Sequence, residues 1–244
     1  MGKQYPTLDQ ERKLLRAGYT HIAGLDEAGR GAWAGPVAAA AVILPLDKPS
    51  LSEQLREVCD SKQCTAHQRD ALYTLVCQIA ISWVVSLVPA RTIDQVGIVP
   101  ATRQAMRNAV AQLSPAPEAL LIDALRLPSV PLPQRAVKRG DLQCLTIAAA
   151  SILAKVTRDR AMVDVEAEYP GYGFASHKGY GTRQHQDALR QLGPLDIHRW
   201  YFAPVANVAR TLGLASQRLE RYLRSQTLQS KEPGDLSAHD HSVR

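Results

Sequence analysis

Nothing in the cysteine content points to a disulfide framework or a structural zinc. Cys59, Cys64, Cys77 and Cys144 are scattered through 244 residues with no C-x-x-C pair and no histidine at zinc spacing. They read as reduced thiols of a cytoplasmic protein. No apolar run approaches the ~20 residues that a membrane helix needs; the longest, over residues 37–44 and 79–88, are far shorter. The N-terminus carries Lys3, Asp9, Glu11, Arg12 and Lys13, too polar for a secretory leader. Internal repeats are absent as well. What is present is an ordinary soluble composition, 45% hydrophobic and 21% charged, long enough for one large domain or two small ones. A net charge of +6 leans towards a polyanionic partner, though many basic proteins bind none.

The chain reads as alternating short strands and helices. Thr7 followed by Gln10 resembles a capping box, opening a short helix with Leu8, Leu14 and Leu15 that ends at Gly18. The run to Asp26 is a first strand and residues 36–44 a second, joined so briefly that they should be antiparallel neighbours. Thr65 is placed to cap a helix reaching Cys77, and residues 79–88 read as a third, largely buried strand. Helices are expected over 92–96 and 100–113, the latter with Ala105, Met106, Ala109, Val110 and Leu113 on one face. Residues 119–123 form a compact apolar strand ending in Asp123, and 134–138 a brief one. Gly140-Asp141 opens a long helical stretch to Glu168, with Ala148-Ala149-Ala150-Ser151 small enough to lie close on a sheet. Residues 169–182 interleave aromatics, glycines and His177-Lys178, which suggests a structured loop. Further helices follow over 183–192 and 205–222, and the polar residues 226–244 are expected to be a disordered tail. The class is α/β with a mixed central sheet flanked by helices and a helical C-terminal segment, one domain over 1–225.

The chemistry is concentrated in Gly24-Leu25-Asp26-Glu27-Ala28-Gly29-Arg30-Gly31. A strand ending in acids and turning through glycines brings anionic ligands, backbone N–H groups and a guanidinium to one sheet edge. Asp123 and Asp141 stand at comparable positions, and carboxylates so placed suit Mg²⁺ or a related hard cation. Two such ions ~4 Å apart can act on a phosphodiester. Side chains alternate along a strand, so Asp26 and Glu27 should share a site only if the strand distorts after Leu25, which Gly29 permits. Each residue also has a plainer reading. Asp141 is equally suited to cap a helix, Asp123 and Asp60 to stabilise turns, and Tyr172 and Tyr180 to pack.

Taken in order, the motifs resemble those of bacterial ribonuclease HII. Asp26-Glu27-Ala28-Gly29-Arg30-Gly31, Gly35-Pro36-Val37, Asp60-Ser61-Lys62, Leu121-Ile122-Asp123 and Gly140-Asp141 match in succession. So do residues 149–159, Tyr172-Gly173-Phe174, His177-Lys178-Gly179-Tyr180, His198-Arg199 and Pro204-Val205, and the resemblance covers residues 20–213. It implies a ribonuclease H-like fold and a metal-dependent endonuclease acting on RNA–DNA hybrids and on duplex DNA containing ribonucleotides. It further implies incision 5′ of a single embedded ribonucleotide, leaving a 3′-hydroxyl and a 5′-phosphate. Asp26, Glu27, Asp123 and Asp141 would hold Mn²⁺ or Mg²⁺. Gly29, Arg30 and Gly31 would sense the 2′-hydroxyl, Tyr180 would stack on the next deoxyribose, and Lys62 and Arg139 would meet phosphate. A monomer that binds no membrane is expected.

The match has departures. Arg139 stands for a frequent lysine, Ala124-Leu125 for Gly-Asn and Ala148 for serine, while Gln63-Cys64 and Tyr201-Phe202-Ala203 are also unusual. Ribonuclease HIII shares the fold but would be expected to carry a further N-terminal domain. A nucleic-acid-binding module whose acids are merely caps is the reading from another class.

Overall fold

The sheet is centred on strands too apolar to face water. Ile22–Ala28 forms β1 and Val37–Ile43 forms β2, in which every residue is buried. The two pair antiparallel, from Ala23 opposite Ile43 to Ala28 opposite Ala38. Ser82–Val88 (β3) pairs antiparallel with β2, Ala119–Asp123 (β4) runs parallel to β1, and Gln134–Val137 (β5) runs parallel to β4. The resulting mixed sheet has the order β3-β2-β1-β4-β5. The structure is a computed structural model and describes residues 5–214 and 220.

Helices cover both faces. In chain order they are α1 (Asp9–Arg16), α2 (Leu51–Gln54), α3 (Ala66–Ile79), α4 (Ala90–Val96), α5 (Ile98–Ala111), α6 (Leu145–Glu168), α7 (Phe174–His177), α8 (Arg183–Leu192) and α9 (Ala203–Thr211). On one face Ala105, Met106 and Ala109 of α5 pack against Leu25, Ala41 and Ile122. On the other, Ala148, Ala149 and Ile152 of α6 and Leu72 and Val76 of α3 cover Ala40 and Val42. The α6 helix comes so close to β1 that a Cβ on Gly24 would overlap Thr146. Its first turn has no cap of its own at Cys144. Glu11 of α1 serves instead, accepting from the Thr146 N–H at 2.9 Å and the Thr146 hydroxyl at 2.8 Å. Thr65 caps α3 as expected, and Gln68 completes a reciprocal box with it.

Several expectations are corrected. The Thr7–Gln10 box does not form, because Thr7 is drawn into a bridge with Cys144 and the helix starts after Leu8. Residues 79–88 do not make one buried strand: Ile79 ends α3, and β3 is the sheet's edge, with Trp83 and Leu87 exposed. Gly140 does not open the long helix. Gly140–Leu142 is a separate 3₁₀ turn, and α6 begins at Leu145. The helix α9 ends at Thr211 in a turn, so one helix does not run through 205–222, and residues 215–219 and 221–222 of that expectation lie outside the described residues. The boundary at 225 and the tail over 226–244 lie outside the described residues.

Candidate active site

The pleat puts Gly24, Asp26 and Ala28 on the α6 side of β1, where Gly24 meets Thr146 and Ala28 joins the core under α6. On β4, Leu121 packs against Ile147 of α6, so Asp123, two residues on, faces the same way. The Asp123 Oδ1 accepts from the Gly140 N–H at 2.7 Å, which docks the turn carrying Asp141 onto the end of β4. Asp141 caps nothing: the N-cap of α6 is Cys144, and the turn Gly140–Leu142 has no side-chain cap. Lys62 Nζ lies 3.6 Å from Asp141 Oδ2 and 3.7 Å from Asp60 Oδ1. Asp60 does cap, accepting from the Lys62 N–H at 2.9 Å in the turn Ser61–Gln63.

Glu27 reaches the site without the expected distortion. The β1–β2 register runs unbroken through Glu27 and Ala28. What ends is the ladder on the other side, where the last β1–β4 pair is Leu25 with Ile122. Asp26 and Glu27 therefore extend past the paired part of β4, and a long side chain can turn round that edge. Arg30 Nη1 donates to Glu27 Oε1 at 3.0 Å, while Glu27 Oε2 is buried with no hydrogen-bond partner. The Glu27 N–H itself donates to Asp26 Oδ1 at 2.7 Å.

These acids repel one another. Burial holds the Asp26 carboxyl well above the usual carboxylate range, and the charges of Glu27 and Asp123 lift it further. Burial likewise raises Glu27 against the opposing pull of Arg30, and raises Asp141 together with Asp60 against that of Lys62. Among the described residues no three acid, histidine or cysteine side chains are closed up into a metal cage. An open set nonetheless fits a hard divalent cation, which keeps waters and takes substrate oxygens. All its donors are carboxylate oxygens, and Glu27 Oε2 is buried and unpartnered.

The glycine-rich turn after β1 is held by two buried arginines. Gly29 has φ of 88°, and a Cβ there would overlap the Arg158 guanidinium. Arg158 donates to the carbonyls of Pro36 at 2.8 Å, Lys178 at 2.9 Å and Ala34 at 3.0 Å. Arg199 donates to those of Arg30 at 2.8 Å, Gly35 at 3.1 Å and Pro36 at 3.1 Å. Both are fully buried, and burial pulls both pKa values down, that of Arg199 to about 9. Sequence reasoning assigned neither a role. A signal existed for Arg158, which shares the buried face of α6 with Ser151, Ala154 and Met162 at helical spacing.

Tyr180 is half-buried. Its loop is bonded to the β1 turn, Gly179 O accepting from the N–H groups of Trp33 at 2.8 Å and Ala34 at 3.3 Å. Lys155 Nζ and the Arg158 guanidinium each lie 5.2 Å from the Tyr180 ring centre. Tyr180 lines a cleft of about 550 Å³ with Lys155, Asp159, Arg160 and Lys178. Gly31 is exposed and opens on free space. Arg139 is exposed in a left-handed conformation just before the Asp141 turn. The structure thus gathers the four acids with Lys62 and Arg30, and ties Gly29 to the Tyr180 loop through Arg158.

A model of the family described as Ribonuclease HII matches residues 23–205, a span that holds all four acids, both buried arginines and Tyr180. The chain belongs to the ribonuclease HII family. It is 53% identical over 204 residues to a ribonuclease HII of Roseiflexus castenholzii, covering 84% of this chain and 91% of that one. With a ribonuclease HII of Chloroflexus aurantiacus it shares 51% over 207 residues, 85% of this chain and 98% of the other. Its fold is similar to the crystal structure of the ribonuclease H2 from Pyrococcus horikoshii, with a TM-score of 0.66 at 25% identity, covering 79% of this chain and 98% of that one. As a ribonuclease HII it is a hydrolase of the nuclease class and acts on nucleic acid.

Proposed function

We propose that this ribonuclease HII cleaves the RNA strand of RNA–DNA hybrids and incises 5′ of single ribonucleotides in duplex DNA, leaving a 3′-hydroxyl and a 5′-phosphate. The observation that carries this reading is the crowding of Asp26, Glu27, Asp123 and Asp141 beside a glycine turn pinned by Arg158 and Arg199. The four carboxylates would hold Mn²⁺ or Mg²⁺, which when bound stabilises charge building up on the phosphodiester oxygens. The chain's own part is placement. The two arginines fix the carbonyl side of the Gly29–Pro36 turn, leaving Gly29, Arg30 and Gly31 to read the 2′-hydroxyl that separates RNA from DNA. Tyr180 offers a ring for stacking on the neighbouring deoxyribose, and Lys62 and Arg139 offer exposed cations to phosphate. Four free cysteines suit the cytoplasm, and among the described residues no helix is long and apolar enough to cross a membrane.

A binding module without catalysis would gain nothing from this cluster, since buried acids repel both one another and phosphate. The test is incision of an end-labelled DNA duplex containing one ribonucleotide, with and without Mn²⁺ or Mg²⁺. A single product ending 5′ of the ribonucleotide supports the reading, and an uncut duplex in every metal overturns it.

A further inference from the structure

Three buried histidines stand behind the Tyr180 loop, and their hydrogen bonds decide where every ring proton resides. The Leu195 N–H donates to His198 Nδ1 at 2.8 Å, so that nitrogen is bare and the neutral ring carries its proton on Nε2. His198 Nε2 lies 3.1 Å from His185 Nε2, and the latter must therefore accept. His185 then has its proton on Nδ1, 3.0 Å from the Tyr180 carbonyl, to which it donates. His177 obeys the same logic: the Gly179 N–H donates to its Nδ1 at 3.2 Å, leaving Nε2–H to donate to the Tyr172 carbonyl at 2.8 Å. These contacts are all made only when the three rings are neutral and hold these tautomers.

The surroundings keep water away from this chain of bonds. The His177 and His185 rings stack with centroids 4.4 Å apart, and Phe174 and Trp33 each lie 5.5 Å from His185. Burial pushes His185 down to about 4, with the neighbouring His177 acting in the same direction. The next residue after His198 is Arg199, which holds the carbonyls of Arg30, Gly35 and Pro36. Two adjacent residues thus tie down the turn after β1 and the loop that carries Tyr180.

We infer that His198 and His185 form a directional relay from the Leu195 N–H to the Tyr180 carbonyl and act as positioning residues for substrate reading. The inference rests on the stacking role proposed for Tyr180. Neither histidine touches substrate; both act through the backbone of residue 180. His185→Asn keeps an N–H near the place of Nδ1 and should preserve the bond to Tyr180, whereas His185→Gln places its amide at the wrong end.

Two measurements test this. Histidine ¹⁵N–¹H long-range correlation spectra of the intact protein at pH 7 should show Nδ1–H for His185 and Nε2–H for His177 and His198, all neutral. Any other tautomer, or a protonated ring, at His185 or His198 overturns the relay whether or not the protein cuts ribonucleotide-containing DNA. The second is a double-mutant cycle on single-ribonucleotide incision. His185→Gln should slow it about tenfold in the native background and less than about twofold beside Tyr180→Ala, with His185→Asn close to wild type. Equal losses in both backgrounds, or no loss in either, overturn the positioning role. Absence of incision by the wild-type chain would instead reject the proposed function and leave the spectra to decide the relay.

Discussion

Asp123 and Gly140 are joined by a 2.7 Å hydrogen bond from the glycine N–H to Oδ1, so one acid of the site holds in place the turn that presents another. The carboxylate therefore has two separable properties, an acceptor oxygen and a charge. Asp123→Asn keeps the acceptor and loses the charge, and should abolish incision with little change in melting temperature. Asp123→Ala loses both and should also cost about 1–2 kcal/mol of stability, since the N–H of the buried Gly140 is left without its partner. Urea unfolding of the two variants beside incision assays separates the effects; equal stability of both would show that the bond does not secure the turn.

The crowded acids make the metal-free protein less stable than its core allows. Because the folded state raises the pKa of Asp26, Glu27 and Asp141, it disfavours their ionised forms at neutral pH. Asp141→Asn should then raise the metal-free melting temperature by about 2–4 °C, the shift expected for ~1 kcal/mol in a domain of this size, while nearly eliminating incision. Mn²⁺ or Mg²⁺ should raise the wild-type melting temperature more than that of the variant. Thermal scans with and without metal check both expectations. A variant that melts lower than wild type in the absence of metal would contradict the repulsion argument.

Ala124 has φ of 52°, a left-handed conformation in which its Cβ is strained, immediately after Asp123. Its N–H donates to Val137 O at 3.0 Å, which binds it into that geometry. Ala124→Gly should stabilise the protein by about 0.5–1 kcal/mol, the relief of strain exceeding the greater freedom of glycine in the unfolded chain. Chemical denaturation measures this directly, and a destabilised glycine variant would show the conformation to be unstrained.

Much of this architecture was legible in the residues. Apolar periodicity located β1, β2, β4 and α5, and Thr65 marked the start of α3, because these elements are decided by local pattern and capping. The failures are of another kind. The Thr7 box lost to a bridge with Cys144, a residue 137 positions away in the chain. The buried appearance of residues 79–88 reflected hydrophobic content, which does not say whether a strand is central or at an edge. In the site, acids at strand ends could be picked out, but the way Glu27 joins them depends on where the β4 ladder stops, a tertiary fact. Arg199 was hidden because a buried arginine bonded to carbonyls has no local signature, whereas Arg158 could have been found from its place on the buried face of α6. The departure at Ala124-Leu125 was visible as a departure, and only the backbone angle gives it an energy.

Acid should weaken the fold through His185. Its pKa is near 4 in the folded protein against 6.5 for an ordinary histidine, so between those values the unfolded chain binds the extra proton. Its contribution is complete above pH 6.5, falls as the pH drops towards 4, and amounts to about 2 kcal/mol lost by pH 5. The raised carboxylates of Asp26, Glu27 and Asp141 act in the opposite sense over the acid range, gaining stability as they protonate. The difference between wild type and His185→Asn isolates the histidine. The variant should lose less stability than wild type between pH 7 and pH 5, and parallel losses would refute the assignment.

The central claim is that four crowded carboxylates and a pinned glycine turn together make a metal-dependent enzyme that recognises a ribose inside DNA. The most direct measurement compares two labelled duplexes, one all DNA and one with a single ribonucleotide, incubated with excess enzyme and Mn²⁺, Mg²⁺ or a chelator. One cut is expected, on the 5′ side of the ribonucleotide, leaving a 3′-hydroxyl, with the all-DNA duplex intact and no cutting under chelation. Cleavage that persists in chelator, or that falls equally on both duplexes, would contradict it.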